Sequence, residues 1–109
     1  MSDHEGAARV AVISRYDVPT LKQRDLSAIL ERALRDWICK RPGFESGTVH
    51  SSLDEHRLVV YSVWAHQDEA MNFLQCEEGR ALSSSIASSG AIVRHSHIYS
   101  IGETVTARA

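Results

Sequence analysis

The sequence predicts an α+β domain whose elements follow the order β-α-β-β-α-β. Three observations carry that prediction. Runs rich in β-branched residues lie near the start, in the middle and near the end of the chain. A stripe of apolar residues at helical spacing occupies 26–38. Between them, the stretch from Trp37 to Phe73 reads as a helix end, a Pro-Gly turn, two strands joined by a tight charged turn, and the start of a second helix.

Strand 1 is expected over Ala8 to Val18 (ARVAVISRYDV). Val10, Val12, Ser14 and Tyr16 share one face, and Ala11, Ile13 and Arg15 the other. A helix then starts at Pro19 and Thr20, with Thr20 and Gln23 spaced as a capping box. Leu26, Ile29, Leu30, Ala33, Leu34, Trp37 and Ile38 form its apolar stripe, and Arg41-Pro42-Gly43 ends it, since proline cannot continue the ladder. Strand 2 is expected over Phe44 to Leu53, a turn at Asp54-Glu55-His56-Arg57, and strand 3 over Leu58 to Trp64. The faces of strand 3 are Leu58, Val60, Ser62, Trp64 and Val59, Tyr61, Val63. A second helix runs from Gln67 to Cys76, with Asp68 and Glu69 at its positive end. Gly79 breaks it, Arg80 to Ala87 continues it briefly, and the serines at 83–85 and 88–89 mark a loop. Strand 4 is expected over Ala91 to Ile101.

At 109 residues the chain makes one domain, with 1–7 and 103–109 expected to be flexible. Hydrophobic residues at 43% and charged residues at 24% suit a soluble globular protein. A net charge of −2 argues against non-specific nucleic-acid binding, which needs a basic face. No apolar run approaches the roughly 18 residues of a membrane span, and the N-terminus lacks the pattern of a signal peptide. A cytoplasmic location is therefore expected. Cys39 and Cys76 are isolated and read as small buried hydrophobes.

The element order is that of the ferredoxin-like split βαβ arrangement, a four-stranded antiparallel sheet with helices on one face. The other face would expose Val59, Tyr61 and Val63. A monomer rarely shows water an apolar face of that size, so a homodimer with two sheets packed face to face is expected.

The segment RPGFESGTVHSSLDEHRLVVYSVW, followed by a helix opening Gln67-Asp68-Glu69-Ala70, resembles the antibiotic biosynthesis monooxygenase domain. That pattern is a Pro-Gly-Phe turn, a strand, an acidic turn, and a strand ending in Trp before an acidic helix start. The resemblance covers Trp37 to Phe73 well and the rest by strand order. It implies a homodimeric α+β barrel with one pocket per subunit, between the helices and the sheet. It also implies cofactor-independent oxidation of an aromatic polyketide-type phenol or anthrone by O2 to a quinone or hydroxylated product. No metal or flavin is needed for that chemistry, and neither a G-x-G-x-x-G nor a cysteine-pair spacing is present. Two alternatives stay open: a cyclase, isomerase or decarboxylase using histidine acid–base chemistry, and a non-catalytic small-molecule binding protein.

Trp64 resembles the family's pocket tryptophan, which implies a stacking wall and an indole N–H donor to a substrate oxygen. Val60 and Ser62 share its face and are expected to bind substrate. Val60 departs from the family, whose quinone-forming members commonly carry Asn there. Ala70 likewise stands where some carry tyrosine. The haem-degrading branch expects a histidine about ten residues past the tryptophan, near Leu74 and Cys76, and none is present. Replacement proton carriers are sought among His50 in strand 2 and His95 and His97 in strand 4. His95, His97 and Tyr99 alternate and so share one face, with Arg94 pointing oppositely. Two histidines without a third ligand make a weak metal site. Tyr16, at the end of strand 1, Trp37, on the helical stripe, Phe73, flanking the inner face of the second helix, and Tyr99 complete the expected substrate-binding set.

Overall fold

The computed structural model describes residues 8–108, without the side chain of His95. The expected fraying of 1–7 lies outside those residues. Eight elements follow in order: β1 (Val10–Asp17), α1 (Gln23–Asp36), a short 3₁₀ turn (Ile38–Lys40), β2 (Phe44–Ser51), β3 (Arg57–Trp64), α2 (Gln67–Gln75), α3 (Glu77–Ser88) and β4 (Ile92–Ser100). The strands form one antiparallel sheet in the order β2-β3-β1-β4. This is the ferredoxin-like α+β fold.

The period-2 alternation of β1 and β3 sets which side chains meet the helices. Val10, Val12, Ser14 and Tyr16 pair across to Trp64, Ser62, Val60 and Leu58 on the helix-covered face. Leu26, Leu30, Ala33 and Leu34 of α1, Ala70 of α2 and Ile86 of α3 pack down on that face. The core has two lobes, one around Trp64 and one around Leu58, joined through Val49, Val60 and Leu82. The other face carries Ala11, Ile13 and Arg15 against Val63, Tyr61 and Val59, and no helix of the described residues covers it.

Several boundaries differ from the sequence expectation. The capping box at Thr20 and Gln23 does not form. The helix begins at Gln23, after a turn in which Leu21 takes φ +72°, and its cap residue Lys22 makes no side-chain bond. The Gln23 amide instead donates to the carbonyls of Ser52 (3.0 Å) and Arg57 (2.9 Å), tying the helix start to the turn end of the β2–β3 hairpin. β2 stops at Ser51, because the Ser52 hydroxyl donates to Asp54 (2.7 Å) and accepts from the Arg57 N–H (3.0 Å), closing the turn early.

The helical break falls at Cys76, not at Gly79. Cys76 is extended (φ −74°, ψ 156°), and its sulfur accepts from the Gly79 N–H at 3.3 Å, capping α3. Gly79 lies inside α3, where an added Cβ would press on the Phe73 carbonyl and the Cys76 sulfur. The serines at 83–85 stay helical because Leu82 and Ile86, four apart, anchor α3 in the core. Cys39 is exposed rather than buried, since the 3₁₀ turn rotates it off the apolar stripe. Residues 101–108 form no regular element.

Strand β4 contains a bulge. Ser14 pairs with Ser96 but Tyr16 with Val93, so β4 carries one extra residue there. The bulge reverses the parity of the strand. Arg94, expected opposite His97 and Tyr99, instead reaches Asp17 on their side of the sheet, its Nη2 and Nε both donating to the Asp17 Oδ2 at 2.7 and 2.9 Å.

Candidate active site

Antiparallel register makes Ser14 of β1 and Ser96 of β4 direct neighbours, and their hydroxyls lie 2.7 Å apart. Tyr16, next along the same face, is buried beside Ser14. Helices α2 and α3 stand over these strands. The break at Cys76 splays them enough to leave a cavity of about 270 Å³, walled by Phe73, Leu74, Leu82 and Ser83 and floored by Ser14, Tyr16 and Ser96. A narrow apolar slot of about 30 Å³ continues inward beneath α1 to Leu30, Leu34, Val60 and Ser62. The volume sits at the small end of ligand cavities and suits a flat bicyclic or tricyclic ring. A larger groove of about 450 Å³, between α1 and β2, contains none of the residues expected at the site.

Burial holds the Tyr16 phenol above its ordinary pKa, and the Ser14 hydroxyl beside it only partly offsets this. At neutral pH Tyr16 is therefore a proton donor, not a base.

Behind the cavity runs an aromatic column. Phe44 meets Trp64 edge-on at 5.4 Å, Trp64 stacks on Phe73 at 4.9 Å, and Phe73 leans on Trp37 at 6.2 Å. Only Phe73 of these faces the cavity.

No family model matches the chain, and no curated protein matches it. Solved structures do. SnoaB, a cofactor-independent oxygenase from Streptomyces nogalater, superposes with a TM-score of 0.76 at 16% identity, over 91% of this chain and 98% of that one. A Deinococcus radiodurans protein provisionally assigned as an antibiotic biosynthesis monooxygenase gives 0.72 at 12% identity, over 92% and 99%. Rv0793 from Mycobacterium tuberculosis gives 0.67 at 16%, over 93% and 100%. The chain shares the fold of these proteins. At these identities the likeness is one of fold.

On that fold the expected site residues divide by face. Tyr16, Val60, Ser62 and Phe73 line the cavity or its inner slot. Trp64 does not. It is fully buried, and its indole N–H donates to the Ser62 hydroxyl at 2.9 Å, so it supports Phe73 from behind. The expected N–H donor to substrate is thus already engaged within the core. Trp37 is half-buried against Phe73 and stands outside the cavity.

His50, His97 and Tyr99 lie on the helix-free face. His50 pairs with Val59, His97 with Ile13 and Tyr99 with Ala11, all outward positions. Their rings are therefore separated from the cavity by the sheet itself. Edge-strand parity relative to the helices was not fixed by either strand's own sequence. The side chain of His95 lies outside the described residues. Among the described residues no group of three or more His, Cys, Asp and Glu converges.

Ser14, Ser96 and Ser83 are the cavity residues that sequence reasoning passed over. Ser14 shares a face with Tyr16, which is a visible signal. Ser96 is concealed by the bulge, and Ser83 by a serine run that reads as a loop.

Proposed function

We propose that this chain is a cofactor-independent monooxygenase acting on a small aromatic phenol or anthrone of polyketide type. The observation that carries the proposal is the cavity between the sheet and α2–α3, apolar on its walls and hydroxyl-lined on its floor, on a fold shared with a cofactor-independent oxygenase.

In this reading the substrate supplies the reducing power. An anthrone slides between Phe73, Leu82 and the sheet, with a ring oxygen toward Ser14, Ser96 and Tyr16. These donors stabilise the anion that forms when the ring carbon loses a proton. The anion gives one electron to O2, and the radical pair recombines to a peroxide. Its O–O bond then breaks: one oxygen becomes the new ring carbonyl and the other leaves as water. The cavity contains no described side chain that titrates near neutrality, so the proton leaves to water through the mouth.

The same observation favours a second reading, a non-catalytic binding protein. The cyclase or isomerase alternative loses support, because His50 and His97 lie across the sheet from the cavity. Dissolved-oxygen uptake with a hydroxyanthrone, in chelator and without added cofactor, separates the readings. Uptake above the spontaneous rate, suppressed by Ser83→Phe, which fills the cavity mouth, supports the oxygenase. Tight binding with no turnover supports the binding protein. Substrate change that persists without oxygen restores the isomerase.

We also propose that two copies pair through the helix-free face. Ile13, Val59, Tyr61 and Val63 form an apolar strip on it, and Tyr61 and Tyr99 remain 36% and 46% exposed. A two-fold pairing of sheets would cover them.

A further inference from the structure

The cavity floor contains a run of hydroxyls. Ser14 and Ser96 are bonded to each other, their oxygens 2.7 Å apart with either able to donate, and Tyr16 stands next to Ser14 on the same face. Each hydroxyl brings one proton and two lone pairs. The bond between the two serines uses one of their two protons, so one remains to be donated. Ser96, exposed at the cavity, is the end that meets an incoming ring. The pair can also turn over: with its bond reversed, Ser96 accepts instead of donating. It therefore suits an oxygen that is a hydroxyl in one form of the substrate and a carbonyl in another. Adjacent strands hold Ser14 and Ser96 in register, so little ordering is lost when the ligand binds.

Among the described residues, none that lines the cavity is positively charged. Its walls are Phe73, Leu74, Leu82 and Ser83. The arginines of the two elements flanking the mouth are directed elsewhere. Arg80 of α3 donates to the Gln75 carbonyl at 2.9 Å, and Arg94 of β4 holds Asp17 on the far side of the sheet. A carboxylate entering here would shed its water with no cation to meet it.

We propose that the Ser14–Ser96–Tyr16 hydroxyl run is the oxygen-recognition element of the pocket, selecting an uncharged hydroxy- or keto-substituted aromatic and rejecting its carboxylated counterpart. The proposal deepens the oxygenase reading and relies on it only for the aromatic character of the ligand. It also accounts for Val60: the polar contact missing at that position is supplied from β1 and β4.

The test uses a product-like ring that needs no turnover. A peri-dihydroxyanthraquinone and its ring carboxylate are titrated into the intact protein near neutral pH, followed by visible absorbance. The neutral ring is expected to bind at least about tenfold more tightly. Ser14→Ala combined with Ser96→Ala is expected to weaken the neutral ring about five- to tenfold while leaving the carboxylate unchanged, and Ser96→Thr to retain the wild-type preference. Equal affinity for the two rings overturns the proposal, as does an unchanged preference in the double alanine variant of confirmed fold. Oxygen uptake, measured separately, judges the other reading. Discrimination without uptake leaves the hydroxyl run standing and removes the oxygenase, and uptake without discrimination does the reverse.

Discussion

At the residue scale, the proposed chemistry rests on hydroxyls rather than on histidines. His50→Ala and His97→Ala are each expected to leave kcat/KM for a hydroxyanthrone within about twofold of wild type, since neither ring reaches the cavity. With no described side chain of the cavity to act as a base, the rate should rise with pH up to the ionisation of the substrate. Two anthrones of different acidity should then give profiles displaced by the difference between them. A common inflection near the histidine range for both would count against this. Tyr16 makes a separate prediction. Its folded pKa lies above the unfolded value of 10.0 because burial opposes the phenolate. The folded state therefore holds its proton longer, and stability is lost as pH rises above that value. Urea midpoints measured from pH 9 to pH 11, roughly, should fall more steeply for wild type than for Tyr16→Phe. Trp64→Phe should act on stability, at about 2–4 kcal/mol by chemical denaturation, because it opens a void and strands the Ser62 hydroxyl. The tryptophan's place at the strand end was legible in the sequence. Its partner was not, since a hydroxyl two residues back reads equally as a substrate contact.

At the scale of elements, the turn between the 3₁₀ segment and β2 is the most constrained junction. Gly43 takes φ +83°, and an added Cβ would overlap the Glu69 side chain, itself 3.0 Å from His66. Gly43→Ala is expected to cost about 1–2 kcal/mol for the left-handed backbone, plus whatever Glu69 loses by moving. A double-mutant cycle with Glu69→Ala should recover the second part and not the first. The proline-glycine pair made this turn readable, because proline fixes its own φ and glycine takes the left-handed backbone without steric cost. The α2–α3 junction was not readable in the same way. A thiol capping the next helix looks like any buried cysteine until Gly79 is seen to donate to it. The start of α1 failed for a related reason: Gln23 found better acceptors on the hairpin than at its own helix end.

At the scale of the molecule, one sheet carries two unlike faces. The order and pairing of its strands followed from two-residue alternation in β1 and β3, which are central and apolar on both sides. The edge strands β2 and β4 gave weaker patterns, and the candidate histidines all lie on them. If the helix-free face joins two copies, Tyr61→Glu with Val63→Glu should yield a monomer by light scattering, because charge then faces charge across the seam. Ligand affinity in that variant should change by less than about threefold, since both positions point away from the cavity.

The bulge in β4 gives this strand an unusual genetic tolerance. Elsewhere in a paired strand a lost codon shifts the register, but here β4 sets two residues, 94 and 95, against Arg15 alone. A frame-preserving deletion of residue 95 would leave Ser96 against Ser14, Val93 against Tyr16 and Arg94 on the side of Asp17, and would make the strand regular. In a lineage of such proteins, one-residue gaps in this strand should therefore collect at 94–95 and need no second gap to answer them.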